Sequence, residues 1–501
     1  MNILGTSVGF HDAAVTVLHN DKIVFAGHAE RYSKIKSDSN LNNELIADAL
    51  SYGNPDLIAY YERPWVKKLQ QLYSGQYNEV FDFSNFTLGQ HLRKHISVPV
   101  YREQLLSCPR QNMSHHLSHA AAGFQTSPYA RATVVVIDAI GELDTISIYG
   151  AEYVNGRAQY KKLWGQRYPH SIGLFYSAMT QRVGLRPNEE EYIMMGMSAY
   201  GARSLSGLIK HKLVDDEWAI QFKDNLHLGV DPDFLRDPEL NDMDLASGAQ
   251  HLAENLIYNV MRRARDFAWS PNLVYMGGVA LNCLANRNLG DYFDNIWIMP
   301  NPGDAGSSLG AAALAWGKRI SWNNAYLGRC ITGPYPVNQL LDVLLTDKIV
   351  GVASGPAEFG PRALGNRSLL ADPRGKEIKD RVNEIKRRQQ FRPFAPVILE
   401  EMADQYFDIP GGWSDSRYMQ IVGQCRRPDL FPAIVHVDGS SRIQTVPRDG
   451  SGIRQLLEKW YVLTDCPMLL NTSLNIRGEP MVNDRTDADR FEQLYNVKVC
   501  S

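Results

Sequence analysis

The chain has no apolar run of the roughly 20 residues that a membrane-crossing helix needs, and no charged-then-apolar leader follows Met1-Asn2-Ile3-Leu4. It also lacks any CxxC pair. Its six cysteines (Cys108, Cys283, Cys330, Cys425, Cys466 and Cys500) are scattered, which argues for reduced thiols rather than a disulfide framework. A cytoplasmic protein, not a membrane one, is the expectation. An excess of either charge is missing too: the net charge is −3, so no global electrostatic argument favours nucleic acid or a membrane surface. Extensive disorder is excluded by 44% hydrophobic and 21% charged residues. What is present is length: 501 residues suffice for two or more domains, each with a substantial core.

The chain opens with a strand-like run from Asn2 to Thr6, a turn at Gly9 into His11-Asp12, and a strand, hairpin and strand from Ala14 to Gly27. A charged segment, His28 to Asp38, reads equally well as a solvated loop or as something more. Between Tyr60 and His95 aromatic and basic residues mix, a texture that can hold nucleic acid or sugars by stacking and charge, and that more often marks a partly exposed insertion. The most informative stretch runs from Ser114 to Asp144. His115 and His119 are four apart and share a helix face. An Ala-rich helical segment follows, and then the apolar run Val134 to Ile137 delivers Asp138. Two imidazoles and a strand-end carboxylate can make a divalent-metal site, or the histidines can satisfy local hydrogen bonds. His116 projects about 100° around the helix from His115 and is set aside.

Further on, a long helix is predicted from about Ala246 to Phe267. The run Asn272 to Met276 then enters Gly277-Gly278 and leads to Asn282, a strand-turn-helix corner whose amides can approach a phosphate. A second such corner carries Asp304 into an Ala-rich helix from Ser308 to Trp316, where an acid can reach a metal or nucleotide. Gly and Pro cluster between Leu327 and Pro336, which sets a domain boundary there. Beyond it cations gather at turns: Arg362 in Phe359 to Ser368, Lys386-Arg387-Arg388, and Arg392 in Phe391 to Pro396. The apolar neighbours of Arg392 direct it partly inward, and buried guanidinium calls for anions. This half reads as an anion-binding, phosphate-type domain.

These motifs together resemble the O-carbamoyltransferases of the nodulation-protein and antibiotic-tailoring family. The matches are His11-Asp12, Glu30-Arg31 with Lys36, His115 and His119, Asp138 to Thr145, Pro169-His170-Ser171, Gly277 to Asn282, Pro302 to Gly306, Phe359 to Ser368, Phe391 to Pro396, His436 to Gly439, and Asn471 to Pro480. They cover nearly the whole chain in the family's order.

The resemblance implies an α/β (α+β) enzyme of two domains. Residues 1–325 would form an actin/Hsp70-like (ASKHA) carbamoyl-transfer domain, and residues 326–501 a YrdC-like activation domain. It implies that carbamoyl phosphate and ATP give carbamoyladenylate with release of phosphate and pyrophosphate, and that an acceptor hydroxyl then takes the carbamoyl group as AMP leaves. By matching position, His115, His119, Asp138 and Asp304 would hold a divalent metal: iron, manganese or magnesium. His11 and Asp12 would assist the acceptor, with Lys36 facing phosphate. Gly277, Gly278 and Asn282 would line the nucleotide. Arg362, Lys386, Arg388, Arg392, Ser473 and Asn475 would bind carbamoyl phosphate and the adenylate. The acceptor would be a small metabolite or the hydroxymethyl group of a nucleobase in DNA, and a homodimer is compatible with the reading.

Two departures stand out. The family's Asn-Glu-Gly-Glu-Tyr-Lys is here Asn188-Glu189-Glu190-Glu191-Tyr192-Ile193, and its Arg-Glu-Pro is Arg388-Gln389-Gln390. The first alters how ribose or acceptor is held; the second changes a turn. Two other functions compete: a non-catalytic nucleotide-binding regulator of the same fold, which the full set of cationic and metal-site residues disfavours, and a tRNA threonylcarbamoylation enzyme, which the carbamoyltransferase-type second half disfavours.

Overall fold

Strand β1 (Asn2–Ser7) is buried along nearly its whole length because it has neighbours on both sides. It pairs antiparallel with β2 (Ala14–His19) and parallel with β4 (Leu57–Tyr60). With β3 (Lys22–His28) beyond β2 and β5 (Arg110–Asn112) beyond β4, the sheet order is β3-β2-β1-β4-β5. This computed structural model describes residues 1–73, 87–231, 233–235 and 240–501. The chain is mixed α/β.

A second five-stranded sheet repeats that order. Strand β6 (Arg131–Gly141) takes the central place, with β7 (Asp144–Val154) and β8 (Arg157–Arg167) antiparallel on one side. Strands Asn272–Met276 and Asn295–Trp297 lie parallel on the other. Parallel strands buried on both faces explain the unbroken apolar runs Val134 to Ile137 and Leu273 to Met276, all 0% exposed. Helices His115–Thr126 and Ser307–Trp316 pack closely against each other. A Cβ at Gly310 would meet the Ser118 carbonyl at 1.7 Å, so small residues are required at that crossing.

The long helix spans Asp242–Asp266 and begins a turn before the predicted Ala246. Asn241 caps it, accepting from the Asp244 amide at 2.8 Å, and two acids occupy the first turn. The segment His28 to Asp38 is not simply a solvated loop, since Glu30 and Arg31 are buried and Glu30 accepts from the Ser37 amide at 3.0 Å.

By contact the chain divides into two units. Met1–Ser33, Ser37–Ala285 and Asp291–Asn323 form the first; Lys34–Lys36, Asn286–Gly290 and Asn324–Ser501 form the second. The second is built on a six-stranded mixed sheet. Its strand Met468–Ser473 lies between Ala395–Leu399 and Arg367–Ala371, antiparallel to both. Trp460, Leu456, Leu469 and Val352 fill the core around it. All six cysteines are free. Among the described residues no helix is long and apolar enough to cross a membrane.

Candidate functional site

In both sheets of the first unit the ends of the parallel strands lead to polar residues or a glycine turn. Beyond β1, β4 and β5 come His11, Glu62 and His115; in the other sheet Asp138 lies near the end of β6, and Gly277 and Asp304 follow Asn272–Met276 and Asn295–Trp297. Carboxyl ends of parallel strands are where α/β sheets place ligands. Asp138 leaves its ladder there: pairing with β7 holds through Ile137–Ile146 and resumes only at Gly141–Asp144, so Asp138 to Ile140 bulge out of the sheet.

Four side chains converge. The Nε2 atoms of His115 and His119 are 3.1 Å apart. Each lies 3.2 Å from Asp138 Oδ2, and they lie 3.3 and 3.2 Å from Asp304 Oδ1. All four donor atoms fall within 4.8 Å of one another. Such separations suit ligands around one ion with bonds of about 2.0–2.2 Å. Their orientation also fits. His119 Nδ1 faces the Pro302 carbonyl at 3.0 Å, and a carbonyl only accepts, so this nitrogen carries the proton and Nε2 keeps its lone pair. His115 Nδ1 faces the buried carboxylate of Glu62 at 3.1 Å, with the same consequence. Asp138 is turned by its other oxygen, which accepts from the amides of Ala139 at 2.9 Å and Gly278 at 3.3 Å.

The charges are consistent with a cation site. Burial works against ionising Asp138 and Asp304, yet the two histidines hold both carboxyls below the usual carboxylate range. Burial likewise opposes charge on His115 and His119, and the acids outweigh it and raise both. Two ionised carboxylates at this depth therefore require two protons on the imidazoles or a divalent ion in their place. His116 is elsewhere, its Nδ1 2.8 Å from Ser147 Oγ, and burial lowers it well below ordinary imidazole.

His11 Nδ1 pairs with Asp12 at 2.9 Å, and its Nε2 is 3.8 Å from Asp304 Oδ2. Against burial, the Asp12 hydrogen bond and the charges of Asp304, Asp12 and Asp138 raise it to about 9. A cavity opens here, lined by Phe10, His11, Asp138, Leu174, Asn188 and Asp304. Gly277, at φ +92°, sits against the Ile137 carbonyl with no room for a Cβ, which would come within 2.1 Å of that oxygen. Asn282 exchanges hydrogen bonds with Gln250 at 3.0 and 3.1 Å. Lys36 is exposed and belongs with the second unit.

In the second unit three cationic motifs meet at one end of strand Met468–Ser473. Register pairs Ser368 with Ser473 and Ala395 with Asn471, so the turns holding Arg362 and Arg392 flank that end. Lys386, 4% exposed, donates to Ser473 Oγ at 3.2 Å, the Ser473 carbonyl at 2.5 Å, and Asn475 O and Oδ1 at 2.8 and 2.9 Å. Burial, then Arg388 and Arg392, push its ammonium well below the usual lysine range. Arg388 donates to Asn383 Oδ1 at 2.7 Å and lies 4.2 Å over the Phe394 ring. Arg362 and Arg392 are half-buried.

Sequence reading missed two carboxylates. Glu358 Oε1 accepts from the amides of Leu364, Asn366 and Arg367 at 2.7 to 3.2 Å and so shapes the Arg362 turn. Its signal was an acid directly before Phe359-Gly360-Pro361. Glu62 was read only as part of an aromatic and basic stretch, although it follows a strand end as Asp138 does. Tyr60 and Tyr61 in that stretch are buried, so they cannot stack on a base, whereas Trp65 is 69% exposed; residues 74–86 of it lie outside the described residues.

An acid and imidazole cluster at strand ends, accompanied by a separate unit with a buried lysine among arginines, defines a two-unit α/β enzyme. The chain belongs to the carbamoyltransferase family, matching the carbamoyltransferase N-terminus over residues 2–313 and the carbamoyltransferase C-terminus over residues 341–500. It is 32% identical to the uncharacterised protein sll1178 of Synechocystis sp., over 98% of this chain and 94% of that one. It is 29% identical to nodulation protein NolNO of Sinorhizobium fredii, over 95% and 76% of the two chains. With nodulation protein NolO of Bradyrhizobium diazoefficiens it shares 31% identity over 75% of each.

Proposed function

We propose that this carbamoyltransferase activates carbamoyl phosphate with ATP and passes the carbamoyl group, through carbamoyladenylate, to an acceptor hydroxyl. The observation that carries the reading is the convergence of His115, His119, Asp138 and Asp304 beside an open cavity, in a chain matched by both halves of the family. The repeated sheet order supports an actin/Hsp70-like transfer domain over residues 1–325, and residues 326–501 would be the YrdC-like activation domain. A cytoplasmic setting goes with it, and homodimer formation is open to direct measurement.

In this reading Lys386, Arg388, Arg392 and Arg362 hold the anionic carbamoyl phosphate and the adenylate, with Ser473 and Asn475 orienting the lysine. The amides at Gly277 and Gly278 and the side chain of Asn282 hold the nucleotide. His115, His119, Asp138 and Asp304 would hold a divalent ion of iron, manganese or magnesium, which would supply positive charge for the phosphate and acceptor oxygens. With Asp138 and Asp304 engaged as ligands rather than raising His11, its imidazole would take the acceptor proton. Attack forms the new C–O bond, breaks the bond to AMP, and leaves the proton on His11, oriented by Asp12. Lys36 would face phosphate.

The acceptor is tested with carbamoyl phosphate, ATP and two sets of hydroxyls: small metabolites, and DNA carrying hydroxymethylated bases. A mass gain of one carbamoyl group on a small hydroxyl is expected. Gain on DNA alone, with strong salt dependence, would move the reading to nucleic acid, and gain on neither would refute both acceptors.

A further inference from the structure

Glu62 is a buried carboxylate that touches a donor of the centre without being one of the four that converge. It is 3% exposed, and a carboxylate is rarely buried to that depth without partners. Its partners are His115 Nδ1 at 3.1 Å on one oxygen and Lys67 Nζ at 2.8 Å on the other. The placement follows from topology. Strands β4 and β5 are parallel neighbours with Tyr60 opposite Asn112, so Glu62, two residues past Tyr60, and His115, three past Asn112, emerge side by side. Lys67 comes from the helix Pro64–Tyr73, which starts two residues after Glu62.

We propose that Glu62 is a positioning residue of the metal centre, its carboxylate accepting the Nδ1 proton of His115 and so fixing Nε2 toward the shared point. This role rests on the metal-holding reading of His115, His119, Asp138 and Asp304. The two imidazoles are thereby made unequal. His119 leans on the neutral carbonyl of Pro302, while His115 leans on an anion and becomes the more basic donor. Lys67 sets a positive charge against the carboxylate, and its ammonium also lies 5.6 Å from the Phe10 ring, which lines the cavity. A merely structural acceptor at this place would need no charge. Glu62→Gln therefore separates the roles, since the amide oxygen can still accept from Nδ1 but carries no negative charge.

The test uses the full chain, stripped with a chelator and titrated with Co(II), alongside the variants Glu62→Gln and His119→Ala. Wild type is expected to show the visible d–d bands of a bound ion, and Glu62→Gln to bind about ten- to a hundredfold more weakly with shifted bands. Equal affinity and unchanged bands in Glu62→Gln, with binding lost in His119→Ala, would overturn the role of Glu62 and leave the centre standing. Absence of binding by wild type would remove the centre and this role with it. If Glu62→Gln does not fold, histidine-selective ¹⁵N spectra of metal-loaded wild type decide. An Nδ1-protonated His115 with a strongly deshielded proton is expected, and an Nε2-protonated His115 would overturn the proposal.

Discussion

Lys386 and Asn475 lie 89 residues apart in the chain and are joined twice, the ammonium donating to the asparagine main-chain oxygen at 2.8 Å and to its side-chain oxygen at 2.9 Å. No carboxylate is among these partners, which is consistent with the anion-binding role proposed for this lysine. Lys386→Met is expected to abolish pyrophosphate exchange that depends on carbamoyl phosphate. It should also lower stability by about 1–3 kcal/mol, because buried acceptors lose their donor. Exchange at the wild-type rate in a folded Lys386→Met would contradict the assignment of the activation site.

His119→Ala removes one of four donors and leaves two ionised carboxylates facing a single imidazole. Metal analysis of the purified variant should show the bound ion lost, and carbamoyl transfer should fall at least about a hundredfold. Full occupancy together with full turnover would exclude His119 as a ligand.

Gly277→Ala places a side chain at φ +92° and against the Ile137 carbonyl. Strain and clash together should cost about 2–4 kcal/mol. A denaturant melt that matches wild type would show that the corner relaxes freely.

Glu401 bonds the buried guanidinium of Arg454 at 2.6 and 2.8 Å, and this holds its carboxyl down at about 2, against an ordinary value of 4.5. A depressed carboxyl stabilises the fold above its unfolded value and stops doing so as acid protonates it in the folded state. The gap in urea midpoint between wild type and Glu401→Gln should therefore be full at pH 6, shrink below about pH 4.5 and close near pH 2. A gap independent of pH would mean that packing, not charge, sets it.

The two converging imidazoles on one helix were readable because a four-residue spacing fixes a shared face, and Asp138 because an unbroken apolar run must end somewhere polar. Asp304 could be read as an acid at a corner, but its distance from His119 depends on the crossing at Gly310, which no local pattern reports. The cations of the second half were visible in the sequence, whereas their meeting point was not: it is set by the register of strand Met468–Ser473 against two partners distant in the chain. Glu62 and Glu358 were passed over for the opposite reason. Acids are common at turns, and only burial separates these two from solvated ones.

The like-ordered sheets of the first unit divide the donor set by kind. The strand ends of one lead to both imidazoles, and those of the other to both carboxylates. Either sheet alone would supply only two of the four converging donors. The proposed centre thus depends on the joining of the two sheets, and a substitution that loosens one from the other is expected to weaken ion binding without touching any of the four donors.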